Sequence, residues 1–252
     1  KEESFDGGGS SVIEDRAMMA VADMSDKEKE FADTVKELGL PSRARILSIG
    51  ATFGKKLKSG RLRQHLRQVR AEEIYAALGH HVDVFQSDED GALWQKATED
   101  AQRPAYMQNI QVYPVRFGKE SPIAEGSIDM VDMMSVITNP NDLEANPGNI
   151  YGILDGIAKV LKDGGLLRVG WYNDGDQENE AARTDFLLRH LRKYVELVEV
   201  TSGENEAHRW VIYKANKINS NEFSQNMDEG DPSFEDDSAM KALSVKEQAQ
   251  LM

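Results

Sequence analysis

"RILSIGATFGKK", residues 45–56, decides how the rest of the chain is read. Arg45–Ile49 is rich in aliphatic side chains and suits a buried strand. Gly50 and Gly54, four residues apart, follow at once. That spacing suits a strand that closes in a tight turn and opens a helix. Nucleotide-like ligands favour such turns, because the first N–H groups of the helix face them.

The chain has 252 residues, enough for one domain with tails. Hydrophobic residues make up 40% and charged residues 29%, as expected of a packed globular core. No apolar run approaches the ~18 residues of a membrane-spanning helix. The formal net charge of -14 disfavours nucleic acid as an obligatory partner. Cysteine is absent, which excludes disulfides, zinc–thiolate sites and cysteine nucleophiles. Its absence suits a periplasmic or secreted location slightly better than a cytoplasmic one. The sequence starts at Lys1 rather than Met, so a segment is expected to have preceded it, such as a signal peptide, a tag or a longer N-terminus.

Composition divides the chain into three. Residues 1–11, "KEESFDGGGSS", read as a flexible leader. Residues 218–252 read as an acidic, disordered tail; from Asn221 on they hold eight acids against two lysines. The fold is expected in residues 12–217. Within it, "DKEKEFADTVKELGL" is an amphipathic helix with Phe31, Val35 and Leu38 on one stripe and Gly39 as its stop. After strand one, "RLRQHLRQVRAEEIYAALG" reads as a long helix and "HVDVFQ" as strand two. "ALWQKATEDA" is a helix and "IQVYPVRF" strand three, where Pro114 suggests an edge or bulge. "SIDMVDMMSVI" is strand four. "NIYGILDGIAKVLKDGG" is a helix stopped by Gly164 and Gly165, and "LLRVGWY" is strand five. "AARTDFLLRHLRKY" is a helix; "VELVEVTS" and "HRWVIYKAN" close the chain as an adjacent strand pair. The expected fold is therefore α/β, with a mostly parallel sheet and an antiparallel finish. Ligands of such sheets bind at the carboxyl ends of the strands, near the reversal of strand order.

Over residues 28–216 this order resembles the class I S-adenosylmethionine-dependent methyltransferases. "ILSIGATFGK" is similar to their first glycine motif, "PIAEGSIDMVDMM" to the lead into strand four, and "IAKVLKDGGLLRVGWY" to the helix–turn–strand before strand five. A narrower likeness is to predicted methyltransferases of Gram-negative bacteria that carry a signal peptide, in which a segment like residues 15–50 precedes the loop. The resemblance implies a three-layer sandwich around a seven-stranded sheet with an antiparallel C-terminal pair, a methyltransferase-like Rossmann fold. It also implies S-adenosylmethionine as cofactor and a small-molecule methyl acceptor.

Carried over residue by residue, the resemblance places the cofactor on Ser48, Gly50, Thr52 and Gly54. The family's loop has an acid where Ser48 stands and a glycine where Thr52 stands. By implication the acid holds the cofactor's ammonium group, and a serine offers an acceptor without the charge. The ribose is implied to lie on an acid at the end of strand two, Asp88 or Glu89, with Asp88 preferred. Phe117, after strand three, is implied to stack on the purine. Asn139-Pro140 resembles the Asn-Pro-Pro-aromatic motif of amino-methylating enzymes, without the second proline or the ring. No catalytic base is identified; Thr138–Asp142 and Tyr172–Asp174 are placed to take a proton if one must leave.

Other features carry plain readings alongside functional ones. The basic residues Lys55, Lys56, Lys58, Arg61, Arg63, Arg67 and Arg70 form a solvated face, paired with the acidic tail, or a docking face for an anion. No histidine spacing suits a metal, so none is expected. Trp171 and Tyr172 either pack or wall a substrate pocket. Asp129 reads as a turn or capping residue and Asp132 as a buried hydrogen-bonded group. A nicotinamide-dependent enzyme is disfavoured, since the three-glycine fingerprint is absent. Two functions remain: a methyltransferase, and a catalytically silent methyltransferase-like binding or interaction protein with a degenerate loop.

Overall fold

The computed structural model describes residues 26–50, 71–87, 89–101, 103–134, 147–172, 188–204 and 208–218. The leader, Thr52, Gly54, Asp88, the basic residues 55–70, the segments 138–142 and 173–174, and residues 219–252 of the tail lie outside the described residues. The chain divides into two compact units, residues 1–217 and 218–252, and the sheet belongs to the first.

The elements follow the alternation read from the sequence. They are α1 (Asp26–Glu37), β1 (Arg45–Ile49), α2 (Ala71–Ala77), β2 (His81–Phe85) and α3 (Glu89–Glu99), then a 3-10 turn (Ala105–Asn109) and β3 (Ile110–Tyr113). After these come β4 (Ile128–Met134), α4 (Pro147–Val160), β5 (Leu161–Tyr172), β6 (Val195–Glu204) and β7 (His208–Lys217). Together the strands form one seven-stranded sheet of order β3-β2-β1-β4-β5-β7-β6. All pairings among β1–β5 are parallel, whereas β7 runs antiparallel to both β5 and β6. This is the mostly parallel sheet with an antiparallel C-terminal pair expected above.

Both faces of the sheet are covered, which makes three layers. One face carries Ile46, Val82, Val84, Met130, Leu166 and Ile212, packed under Val35 of α1, Tyr75 of α2 and Trp94 of α3. The other carries Leu47, Ile49, Val131, Leu167 and Val169, packed under Ile153, Leu154 and Ile157 of α4 and Leu188 and Leu191. Strands buried on two faces must be apolar throughout. In β1 everything from Ile46 to Ile49 is buried, so the one polar side chain there, Ser48, needs a partner.

α1 begins with Asp26 and Glu28 and ends with Lys36, charges that suit the helix dipole. Gly39, at φ 66, takes the chain out of it. β3 lies at the sheet edge, where the proline that follows it is tolerated. Several boundaries differ from the sequence reading: β3 ends at Tyr113 rather than Phe117, and β5 begins at Leu161 rather than Leu166. The helix expected to run toward Gly164 ends at Val160, because fully buried Leu161 already pairs with Ile128 of β4.

Candidate functional site

The carboxyl ends of β1, β2 and β4 meet where the strand order reverses, between β1 and β4. β1 ends at Ile49, and Gly50 follows at φ 73, a backbone region that disfavours side chains. The Gly50 N–H donates to the carbonyl of Phe85 at 3.0 Å. The turn is thus tied to the end of β2 as the chain leaves the sheet.

Two residues before that glycine, Ser48 lies opposite Val84 of β2 and Asp132 of β4. Ser48 and Asp132 face the layer of α1–α3. α2 presents Glu72 and Tyr75 to them, three residues apart and so on one helix face. The Ser48 hydroxyl donates to Glu72 Oε1 at 2.6 Å, with both residues buried. The Tyr75 hydroxyl donates to Asp132 Oδ2 at 2.6 Å. Arg168 of β5 donates from Nη1 to the same oxygen at 2.9 Å.

Charge is handled with care in this buried cluster. Burial is the largest influence and opposes the Arg168 cation, but Asp132 and Tyr75 together outweigh it and the guanidinium pKa is raised. The guanidinium also lies 4.7 Å from the ring centroid of Phe31 and 5.6 Å from that of Trp210. The Tyr75 hydroxyl is pushed well above its ordinary pKa by burial and by Asp132, so it stays a donor. Asp132 Oδ1 and Arg168 Nε have no hydrogen-bond partner among the described residues. The group that Asp132 was expected to be, buried and hydrogen-bonded, is the group it is.

Asp129, read as a turn or capping residue, lies instead within β4, at the opposite, amino end of the strands. It accepts from the Arg45 backbone N–H at 2.8 Å and from Lys162 Nζ at 2.5 Å, which locks the starts of β1, β4 and β5 together. Among the described residues no group of histidines and acids is arranged to hold a metal ion.

Of the residues implied as cofactor ligands, Ser48 and Gly50 come together at the strand end. Thr52, Gly54 and Asp88 lie outside the described residues. Phe117, implied to stack on the purine, is 2% exposed and packs edge-on against Phe85, with centroids 5.1 Å apart. Phe85 in turn stacks on Tyr113 at 4.4 Å, and a Cβ on Gly156 of α4 would sit 2.9 Å from Phe117. Core side chains enclose the ring, because burying it against α4 removes more apolar surface from water than leaving it open.

Four residues escaped the sequence reading. Glu72 was visible only as an acid three residues before an aromatic on an apolar helix stripe, beside Tyr75. Arg168 was visible as a lone charge in the strand "LLRVGW". Gly91 sits in the first turn of α3, where a Cβ would fall 2.0 Å from the Gln86 carbonyl oxygen. It lets α3 touch the backbone at the end of β2.

No known protein family and no curated protein matches the chain. Several solved structures do. The N-methyltransferase NodS from Bradyrhizobium japonicum is 17% identical at a TM-score of 0.45, covering 75% of this chain and 97% of its own. A TehB-like SAM-dependent methyltransferase from Corynebacterium glutamicum is 15% identical at 0.45, covering 82% and 99%. A SAM-dependent methyltransferase from Methanosarcina mazei is 17% identical at 0.44, covering 73% and 98%.

Proposed function

We propose that the chain is an S-adenosylmethionine-dependent methyltransferase that acts on a small-molecule acceptor. One observation carries this reading. A glycine at φ 73 closes β1 at the point where a β3-β2-β1-β4-β5-β7-β6 sheet reverses its strand order. The sequence motifs around strands one, four and five support it. The residues present also fit the cofactor: a buried hydroxyl–carboxylate pair beside the turn suits a ligand with an ammonium at one end.

When bound, the cofactor supplies a methyl group already activated by its sulfonium. The chain's part is then to hold two reactants in line and keep water out. In this reading Gly50 leaves room for close approach, Ser48 accepts a hydrogen bond, and Thr52 and Gly54 continue the cradle. Asp88 takes the ribose. Phe117 supports the site from the core. No acid or base is required for the transfer itself.

A silent binding protein is the second reading, favoured by Ser48 and Thr52, which stand where the family's loop has an acid and a glycine. Calorimetric titration of S-adenosylmethionine and S-adenosylhomocysteine into the whole chain separates the two. Binding with formation of S-adenosylhomocysteine in the presence of an acceptor supports the enzyme. Absence of heat at millimolar ligand rejects it. The proposal also carries a domain spanning residues 12–217 between a leader and an acidic tail, and membership of the signal-peptide-bearing group with a periplasmic or secreted location, the alternative being cytoplasmic. No helix among the described residues is long and apolar enough to cross a membrane. Cell fractionation checks the location.

A further inference from the structure

We infer that the methyl acceptor is an uncharged molecule with a flat apolar body, and that it rests on a shelf made by Met134, Gly170, Trp210 and Gly203. This rests on the proposed function. In-line transfer needs the acceptor beside the cofactor, along the same carboxyl edge of the sheet. In that reading the Gly50 turn and the end of β2 take the cofactor. The strands left for the acceptor are β4, β5, β7 and β6, on the other side of the reversal.

Those four strands share one row near that edge. Met134, the last residue of β4, is the register partner of Gly170 in β5. Gly170 pairs with Trp210 of β7, and Trp210 pairs with Gly203 of β6. Large and small residues thus alternate across the row. A Cβ on Gly170 would collide with the Met134 thioether and with the backbone of Arg209, and one on Gly203 with the six-membered ring of Trp210. Both large side chains therefore lie down over glycines. Glycine weakens a strand interior, and it recurs where a ligand or another backbone comes close. Lying flat, the thioether and the indole keep the floor low and leave the space above them to a ligand. Both residues are only partly buried, and Met134 packs into neither large apolar core.

The row also selects the chemistry. None of its members is ionisable. Two residues earlier on the same face, Arg168 is balanced by Asp132 at 2.9 Å, and its guanidinium lies 5.6 Å from the Trp210 ring centroid. A charged acceptor would lose hydration on this floor and gain no counter-charge from it. A flat apolar one gains contact with a polarisable sulfur and an aromatic ring.

The probe is 2-naphthol, flat and uncharged at neutral pH, titrated calorimetrically into the whole chain saturated with S-adenosylhomocysteine. Its counterpart is 2-naphthalenesulfonate, the same rings with a fixed charge. 2-Naphthol should bind at least about tenfold more tightly than the sulfonate. Met134→Glu should weaken 2-naphthol about tenfold and leave S-adenosylhomocysteine within about twofold. Met134→Leu, close in volume, should keep both affinities. Val198→Glu alters an exposed apolar residue of β6 off the row and should change neither. Should Met134→Glu fail to fold, Met134→Gln is read the same way. The inference is overturned if the sulfonate binds as well as 2-naphthol, if Met134→Glu spares 2-naphthol or weakens both ligands alike, or if Val198→Glu matches its effect. A wild-type chain that binds S-adenosylhomocysteine but not 2-naphthol removes this inference alone. A chain that binds no S-adenosylhomocysteine removes the proposed function and the inference together.

Discussion

Arg168 and Asp132 form an ion pair, 2.9 Å from Nη1 to Oδ2, with side chains 8% and 2% exposed. Desolvating two such charges costs several kcal/mol, and the pair recovers this only while both members and their hydrogen bonds are present. Asp132→Asn is therefore expected to destabilise the chain by about 3–5 kcal/mol, as it strands a buried guanidinium. Asp132→Leu with Arg168→Met should lie well above either single change. Tyr75→Phe, which removes one donor to Asp132, should cost about 1–2 kcal/mol. Urea unfolding of these variants measures the differences.

Gly91 is expected to resist the substitution that helix propensity recommends. Alanine is favoured over glycine in a helix by about 1 kcal/mol. Here its Cβ would fall 2.0 Å from a backbone oxygen, which cannot swing aside as a flexible side chain would. Gly91→Ala should be destabilising by about 1–3 kcal/mol on balance. Gly152 of α4 is the control, with nothing within 4 Å of its would-be Cβ. Gly152→Ala should raise the thermal midpoint while Gly91→Ala lowers it.

Burial lowers the pKa of His80 from its ordinary 6.5, with Asp129 opposing in part. Above pH 6.5 both folded and unfolded chains hold it neutral, so it contributes nothing to pH dependence. Below that value the unfolded chain takes up a proton that the folded one refuses, and stability falls until the folded pKa is reached. The thermal midpoint of His80→Gln should accordingly drop less between pH 7 and pH 5.5 than that of the wild type. Parallel decreases would show that His80 titrates alike in both states.

Asp88→Ala tests the proposed ribose contact. If Asp88 holds the ribose, its loss weakens S-adenosylhomocysteine and 5′-methylthioadenosine alike, by about 1–3 kcal/mol, because the ribose is common to both. Calorimetry with both probes checks this. An unchanged affinity would pass the ribose to Glu89 or Gln86.

The sequence by itself determined the elements and their kind. Alternation in "HVDVFQ", the apolar run in "RILSI" and the Phe31–Val35–Leu38 stripe each depend on neighbours within one turn or one strand. Local sterics and a single buried face are enough to specify them. The parallel sheet followed from their alternation, and Gly50 announced the turn. Only the tertiary structure decided which residues meet. Ser48 finds Glu72 24 positions on, Arg168 finds Asp132 at a separation of 36, and Tyr75 finds Asp132 at 57. The placing of β7 between β5 and β6, the early end of α4 at Val160 and the enclosure of Phe117 were equally out of local reach. Ser48 read alone is an acid lost, yet its buried hydroxyl must find a partner, and packing α2 over β1 brings it a carboxylate. A polar group's meaning in a dry interior is set by the partner that folding delivers, and no local pattern encodes that partner.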